Sequence, residues 1–456
     1  MAKVKGVCMR TITEPARQVP VVAETEVLVL GGGPAGIAAA TAAARSGART
    51  MLLERYGFLG GMGTAAMVTN FCGLHASING TVQQIVHGVA DDILDRLAKL
   101  GGLREPHVVT SADGLKTGAQ AYDNAAYKVA TDDLLVSAGV DVRFHTFAVD
   151  AVTDDGHIEA VLIETKSGRA AIAADMFIDC SGDADLAAWA GAPFEKGGSD
   201  GFMAYPTMMF RIADVDHDVA MGEGAPQLKA LIAEANASGE YTLPRKAGII
   251  RPQTHDSEWR ANLTQISRDG APVDGSDWDD LGYAEIEGRK QAIEYFRFLK
   301  DRVPGFADAY MLELAPQIGI RETRRIVGPY QLTGKDVLDC RDFEDSIGCS
   351  GWPLETHVLG DVEWKFLAGR GYHQIPFSTT LPTGIDNLLV AGRCASTTQD
   401  GQASLRVSGP CFAMGQAAGT AAAMARTAGT APAELDVAAL QRQLATDGAF
   451  IGDTGV

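Results

Sequence analysis

The stretch EVLVLGGGPAG, Glu26 to Gly36, limits what this chain can fold into more than any other. Val27 to Leu30 is a short run of β-branched and leucine residues, the pattern of a strand buried on both faces of a parallel sheet. Gly31, Gly33 and Gly36 follow in G-x-G-x-x-G spacing. In that pattern the first glycine turns the chain sharply. The second lets backbone approach a pyrophosphate, and the third lets the next helix lie close on the sheet. The expected helix, Pro34 to Ser46, is nearly all alanine, its first N–H groups face the phosphates, and Gly47 closes it. A second strand, Arg49 to Leu53, ends at Glu54, about 20 residues beyond the loop, where a carboxylate accepts both hydroxyls of a ribose. Strand before, helix after and acid at this distance predict a dinucleotide site rather than an ordinary strand–turn–helix unit. The acid favours an adenosine ribose without a 2′-phosphate, and leaves NAD and FAD both open.

The chain's 456 residues suffice for two or three domains with a large core. Its 58 acidic against 39 basic residues give a net charge of −19. That excludes nucleic acid and anionic membrane surfaces as expected partners, since both need a basic face. A small anionic substrate stays open, because local arginines override a distant field. Seven cysteines lie scattered with no C-x-x-C pair, so neither a disulfide framework nor a redox dithiol is expected, and a reducing cytoplasm is the default. The first twenty or so residues hold no apolar core or twin arginine, so no export signal is expected. No uncharged apolar run reaches about 18 residues, so no membrane span is expected. No metal site is expected either.

Along the chain, residues 1–23 read as an extended arm with Pro15 and Pro20. In RYGFLGGMGTAAMVTNFCG, Gly57, Gly60, Gly61 and Gly63 argue against regular structure, and the apolar Phe58, Leu59, Met62 and Met67 argue against a solvated loop. Helices are predicted over Val82 to Leu100 and Ala121 to Ala138, each stopped by glycine. A strand follows at Val140 to Phe144. A hairpin pairs Phe147 to Thr153 with Ile158 to Thr165 around Asp155–Gly156. Ile172 to Ile178 is an apolar strand running into Asp179-Cys180-Ser181-Gly182-Asp183 and a helix, Ala184 to Ala190, a second place where backbone can approach a ligand. Residues 195–375 differ in texture: they carry four of the five tryptophans, a clear helix at Glu285 to Lys300, and three arginines in QIGIRETRRI. Leu388 to Ala391 is a last buried strand, leading to Gly392-Arg393. Ser408 is the expected N-cap of a small-residue helix beginning GPCFAMGQAAG. The second strand–loop–helix unit mirrors the first. The expected fold is α/β: a Rossmann-like nucleotide domain with a three-layer, mainly parallel sheet, in parts 24–194 and 376–456, split by an inserted α+β substrate or cap domain at 195–375.

Three segments together resemble a known family. VLVLGGGPAGIAAATAAARSGARTMLLERYGFLGG is similar to the FAD-binding start of two-dinucleotide-binding flavoproteins. MFIDCSGDADLAAWAGAP resembles their middle signature, and NLLVAGRCASTTQDGQASLRVSGPCFAMGQAAGTAAAMA their C-terminal one. The chain therefore resembles FAD-dependent oxidoreductases related to glutathione reductase-type and fumarate reductase-type flavoproteins. The resemblance implies that Gly31, Gly33, Pro34, Ala35 and Gly36 cradle the FAD pyrophosphate, that Glu54 holds the adenosine ribose, and that Arg55 lies near the adenine. It implies Gly60, Gly61 and Met62 along the ribityl and ring, Ala148 offering backbone to the adenine, and Ser181 and Gly182 flanking the adenosine. Gly392 and Arg393 approach the pyrophosphate and ribityl, and the helix starting at Val407 and Ser408 aims its positive end at flavin N1 and O2.

For catalysis, His357 and His373 are candidates for a general base or anion donor, with an ordinary structural role the alternative for each. Arg321 and Arg324 are candidates for a bidentate carboxylate clamp, with an ion-pair lattice around Glu322 as the alternative. Cys394 and Cys411 read as small core residues, and nothing around His75 demands a covalent flavin link. The expected function is oxidation of a small organic substrate by hydride transfer to flavin N5. Oxygen or a redox partner would take the electrons, and a homodimer is the default assembly. The alternatives are a flavin monooxygenase using NAD(P)H, which lacks a second complete G-x-G-x-x-G here, and a non-catalytic electron-transfer flavoprotein. A disulfide reductase is disfavoured by the missing dithiol.

Overall fold

The computed structural model describes residues 10–452. A seven-stranded sheet organises the first half and receives a strand from the last quarter. Val21–Leu30 lies between Thr50–Leu53 and Gly168–Asp179, parallel to both. Asp141–Arg143 adds in parallel beyond Thr50–Leu53, and Leu388–Val390 pairs in parallel with the end of Gly168–Asp179. The hairpin Phe147–Asp154 and His157–Thr165 completes the sheet in antiparallel register. Its turn is as expected: Asp155 and Gly156 both have positive φ, at 41° and 83°. Val27, Leu28 and Val29 are fully buried, as a strand covered on both faces must be, and each such side chain contributes about 1.5–3 kcal/mol.

One layer over this sheet is built from two alanine-rich helices, Pro34–Arg45 and Ser408–Ala428. Small side chains let them approach each other closely. The apolar cluster beneath them joins Val27 and Ile37 to Leu389, Ala417 and Ala421. The first and last strand–loop–helix units thus share one core. Asp179, fully buried at a strand end, accepts hydrogen bonds from the Ser181 amide (2.9 Å), the Ser181 hydroxyl (2.6 Å) and the Ala187 amide (3.0 Å). Those bonds fix the middle glycine turn to the helix Asp185–Trp189.

Several local expectations need correction. The arm ends earlier than residue 23, because Val21 already pairs with Ala171; residues 1–9 lie outside the described residues. The predicted helix Val82 to Leu100 divides into a strand, Thr81–Gln84, and a helix, Val89–Lys99, because Gly88 turns the chain at φ 72°. Ala121 belongs to the strand Lys116–Ala121, and the helix begins at Asn124, capped by the Asp123 carboxylate. A four-stranded sheet built on Asn70–Ile78 went unpredicted. The glycine-rich segment holds one helical turn, Met62–Ala65. Glu285 to Lys300 is the middle of a longer helix, Trp278–Arg302.

A second four-stranded sheet, ordered Ile249–Pro252, Trp259–Asn262, Phe210–Ala213, Tyr310–Leu314, carries its own apolar cluster with Trp259, Tyr295 and Phe298. That cluster ends at Ile320, whereas Leu332, Leu354 and Ile375 pack into the first, so the apolar division falls nearer 320 than 375. No disulfide joins the cysteines among the described residues, and no helix among them is long and apolar enough to cross a membrane.

Candidate active site

A cavity of about 380 Å³ opens where the parallel strands end, with Leu30, Leu53, Cys180 and Ala391 in its wall. Ligand sites of open α/β sheets lie at such carboxyl ends. The reason is local. Gly31 (φ 99°) turns away from its strand so closely against Cys180 that a Cβ would sit 2.5 Å from the carbonyl oxygen. A Cβ on Gly36 would lie 1.8 Å from the Gly31 carbonyl oxygen, which is how the helix comes down onto the loop. Gly33 differs: a Cβ there would meet nothing nearer than the Gly61 Cα at 3.7 Å. Gly33 and Gly61 both line the cavity, so their bare backbones leave space that a side chain would fill.

Both alanine-rich helices point uncapped N-termini at this space. Neither Gly33 nor Val407, the residues at their N-caps, supplies a side-chain hydrogen bond. Their first-turn N–H groups remain available to an anion. Ser408, expected as the N-cap, is instead the first helical residue. Its hydroxyl accepts from the Cys72 amide at 3.0 Å and donates to the Cys72 carbonyl at 3.2 Å, pinning the helix start to the strand Asn70–Ile78.

Of the residues expected at the nucleotide, Gly31, Gly33, Pro34, Ala35, Glu54, Arg55, Gly61 and Met62 line the cavity. So do Ala148, Ser181, Gly182, Gly392, Arg393, Val407 and Ser408. Gly36 and Gly60 lie just behind the lining: Gly60 (φ 105°) packs against Thr64 and Tyr127. Glu54 is buried and held from both oxygens, by the Gly32 amide at 2.7 Å and the Tyr56 amide at 2.9 Å. Burial raises its pKa against the pull of those amides. Arg393 donates to Asp183 at 2.9 Å, and Thr323 donates to the same carboxylate oxygen at 2.7 Å. Burial, with Asp183 and Asp179 close by, pushes the neighbouring Asp185 up to about 6 despite its ion pair with Arg324.

The other end of the cavity is polar in a different way. His357 and Arg321 line it; His373 and Arg324 do not. His373 is buried between Ser404 Oγ (3.0 Å) and the Gln374 carbonyl (3.0 Å), and Arg324 binds the Asp183 carbonyl and Asp185. His357 Nε2 lies 3.1 Å from Glu355 Oε1, and Trp352 Nε1 donates to Glu355 Oε2 at 3.1 Å. Burial would raise Glu355, but His357, Arg406 and Arg321 outweigh it and bring it down to about 2. Burial and Arg321 hold His357 well below its ordinary value, against the pull of Glu355. At neutral pH the pair is a carboxylate and a neutral imidazole whose Nε2–H donates to it, which leaves the ring's lone pair on Nδ1. Arg321 donates to the Tyr205 carbonyl (2.6 Å) and Asn262 Oδ1 (3.1 Å).

A family model described as FAD dependent oxidoreductase matches residues 26–444. The chain belongs to that family. FAD is its cofactor, and the facing glycines and two uncapped helix ends suit a dinucleotide's phosphates and ring. Over 99 residues, 21% of the chain, the oxidoreductase is 38% identical to the sarcosine oxidase subunit alpha of Corynebacterium sp. (strain P-1), and it covers 10% of that relative's length. Among solved structures it is similar to a p-nitrophenol 4-monooxygenase from Pseudomonas putida DLL-E4, at 12% identity over 95% of this chain and 90% of the other, with a TM-score of 0.49. It is also similar to a geranylgeranyl bacteriochlorophyll reductase-like protein from Thermoplasma acidophilum, at 15% identity over 94% and 84%, with a TM-score of 0.47.

Sequence reasoning missed several cavity residues of this oxidoreductase: Glu355, Arg406, Arg251, Arg260 and His107. Arg406 lies within the C-terminal signature, two residues before the helix at Ser408, which was a usable signal. Glu355 lies two residues from His357 in a strand, Leu354–Val358, so the two share a face. Of the tryptophans singled out, Trp352 and Trp364 line the cavity, whereas Trp259 is core and Trp278 is exposed.

Proposed function

We propose that this oxidoreductase oxidises a small organic substrate, with FAD across the glycine loops and substrate at the arginine-lined end of the same cavity. Continuity supports the reading: the loops at Gly31, Gly182 and Gly392 line one cavity with Glu355 and His357. When bound, FAD supplies the hydride acceptor, flavin N5. The protein's part is to bind, orient and manage protons. Gly33 and Ala35 offer amides to the pyrophosphate, Gly31 and Pro34 shape the turn around it, and Gly392 and Arg393 close on it from the second crossover. Glu54 accepts from the adenosine ribose, with Arg55, Ala148, Ser181 and Gly182 around the adenosine. Gly61 and Met62 follow the ribityl and ring. The helix beginning at Val407 and Ser408 stabilises negative charge on the ring by about 0.3–2 kcal/mol.

His357 takes the substrate proton. Its neutral state at pH 7 suits a base, and Glu355 fixes the ring and stabilises the imidazolium that forms. Arg321 orients the substrate. His373 and Arg324 take packing roles, with Ser404 and Asp185 respectively. The part of residues 195–375 that carries its own sheet and the apolar cluster around Trp259, up to about residue 320, acts as the substrate domain. Substrate is a small molecule, electrons leave to oxygen or a redox partner, and the compartment is reducing.

Anaerobic titration of the purified yellow protein with a panel of small metabolites tests this. Bleaching of the flavin by a C–H donor is the expected result. A protein reduced by NADPH alone, with oxygen entering product, would be a monooxygenase instead. A flavoprotein that no organic donor and no pyridine nucleotide reduces would leave electron transfer as its function.

A further inference from the structure

The end of the cavity around His357 holds more positive charge than the protein neutralises. Arg251 and Arg260 are direct partners in the antiparallel register of Ile249–Pro252 with Trp259–Asn262. Both line the cavity, so two guanidinium groups stand side by side on one sheet face. Like charges directly opposite are destabilising. Arg251 donates to the carbonyl of Ile250 at 3.3 Å, and Arg260 to the carbonyl of Val68. Among the described residues neither has a carboxylate partner, and Arg260 Nε is buried with no partner at all. Arg321 and Arg406 line the same end. Facing these four among the described residues is one carboxylate, Glu355, 3.9 Å from Arg406 and already engaged by His357 and Trp352.

Burying an unpaired charge costs free energy unless something compensates it. An anionic occupant would do so. Arg260 Nε is the edge atom through which a guanidinium grips a planar carboxylate with two bonds. The walls nearby are aromatic, Phe71, Trp352 and Trp364 among them, which suits an anion carried on a carbon skeleton over a free inorganic one. We propose that this end is a carboxylate subsite, in which Arg251 and Arg260 receive the acid group of a small organic acid. The proposal rests on the reading of the cavity as the substrate site and names the substrate class. It agrees with the effect on His107, which burial and then Arg251 and Arg260 bring down to about 4.

The test is calorimetric titration of the FAD-loaded protein with benzoate and succinate, each against its uncharged amide, and with inorganic phosphate. The acids should bind at least about tenfold more tightly than the amides, and Arg251→Gln should weaken them about tenfold or more without changing the flavin-to-protein ratio. The amide comparison needs no variant, so it decides the matter even where Arg251→Gln misfolds. Equal binding of acid and amide, unchanged affinity in Arg251→Gln, or no acid binding at about 10 mM would each overturn the proposal. Tighter binding of phosphate than of either acid would overturn it as well. A protein that loads FAD yet ignores the acids sinks this inference alone, whereas one that never takes FAD sinks the reading beneath it.

Discussion

Gly415 lies so close to Ala35 that a Cβ on the glycine would sit 2.1 Å from the alanine carbonyl oxygen. One turn further on, Gly419 stands in the same relation to Ala39. The helices Pro34–Arg45 and Ser408–Ala428 therefore touch backbone to backbone. That contact holds the first and last glycine loops in one cavity. Gly415→Leu must push the helices apart and should lower stability by about 1–3 kcal/mol. Because both helix ends line the cavity, flavin content should fall with it. Thermal unfolding and the flavin-to-protein absorbance ratio read the two effects together; a variant with normal flavin content and an unchanged midpoint would show that the contact is not needed.

Gly282 gives the opposite outcome. It is exposed inside the helix Trp278–Arg302, and a Cβ there would meet nothing within 4 Å. Gly282→Ala should raise stability by about 0.4–1 kcal/mol, by narrowing the unfolded ensemble. Urea unfolding of the two proteins side by side decides it.

The glycine loops were legible because each glycine answers a backbone demand that the sequence states locally. Gly31 needs a positive φ, and Gly36 needs a missing Cβ. The strand and helix around them follow from runs of apolar residues. The four-stranded sheet at Asn70–Ile78 was not legible, since Val82, Ile85, Val86 and Val89 fit helical spacing, and the break at Gly88 depends on backbone φ. Arg251 and Arg260 were invisible for another reason. A single arginine in a short strand reads as surface, and only the register of Ile249–Pro252 with Trp259–Asn262 sets the two side by side. Glu355 acquires meaning only when Arg321 and Arg406, distant in sequence, converge on it.

The two candidate histidines should separate cleanly. His357 lines the cavity, and His373 does not. Once a substrate is known, His357→Gln should cut kcat by about a hundredfold or more with flavin content unchanged. His373→Gln should keep turnover and lose stability instead, because Ser404 loses a buried partner. Full activity in His357→Gln would remove it from the mechanism.

Glu54 carries a graded prediction. Its two oxygens already accept from the Gly32 and Tyr56 amides. A glutamine keeps one acceptor and repels at least one of those donors, whereas alanine abandons both. FAD affinity should fall about tenfold in Glu54→Gln and further in Glu54→Ala, at roughly 1.5–3 kcal/mol for a charged hydrogen-bonding group. Fluorescence titration of the deflavinated variants with FAD measures it, and an unchanged Kd in Glu54→Ala would detach the residue from the ribose.

Acid should destabilise the protein in a defined window. Burial brings His75, His107 and His373 down from 6.5 to about 4, and holds His357 well below its ordinary value. Below pH 6.5 the unfolded chain therefore binds protons that the folded one refuses, so stability is complete above that value and falls as the pH approaches 4. Glu355 extends the decline: its folded value near 2 lies under the ordinary 4.5, so its contribution is lost between the two. Asp185 works the other way, since its folded value near 6 exceeds the ordinary 3.8 and the folded state gains from its proton in between. Burial raises Glu54, Asp179 and Asp132 as well, so the positive slope is expected where the imidazoles begin to charge, just below pH 6.5. Urea unfolding at saturating FAD across this range should show net proton uptake on unfolding, reduced by about one in His373→Gln. A flat profile between about pH 7 and pH 5 would mean that these imidazoles are not held neutral by the fold.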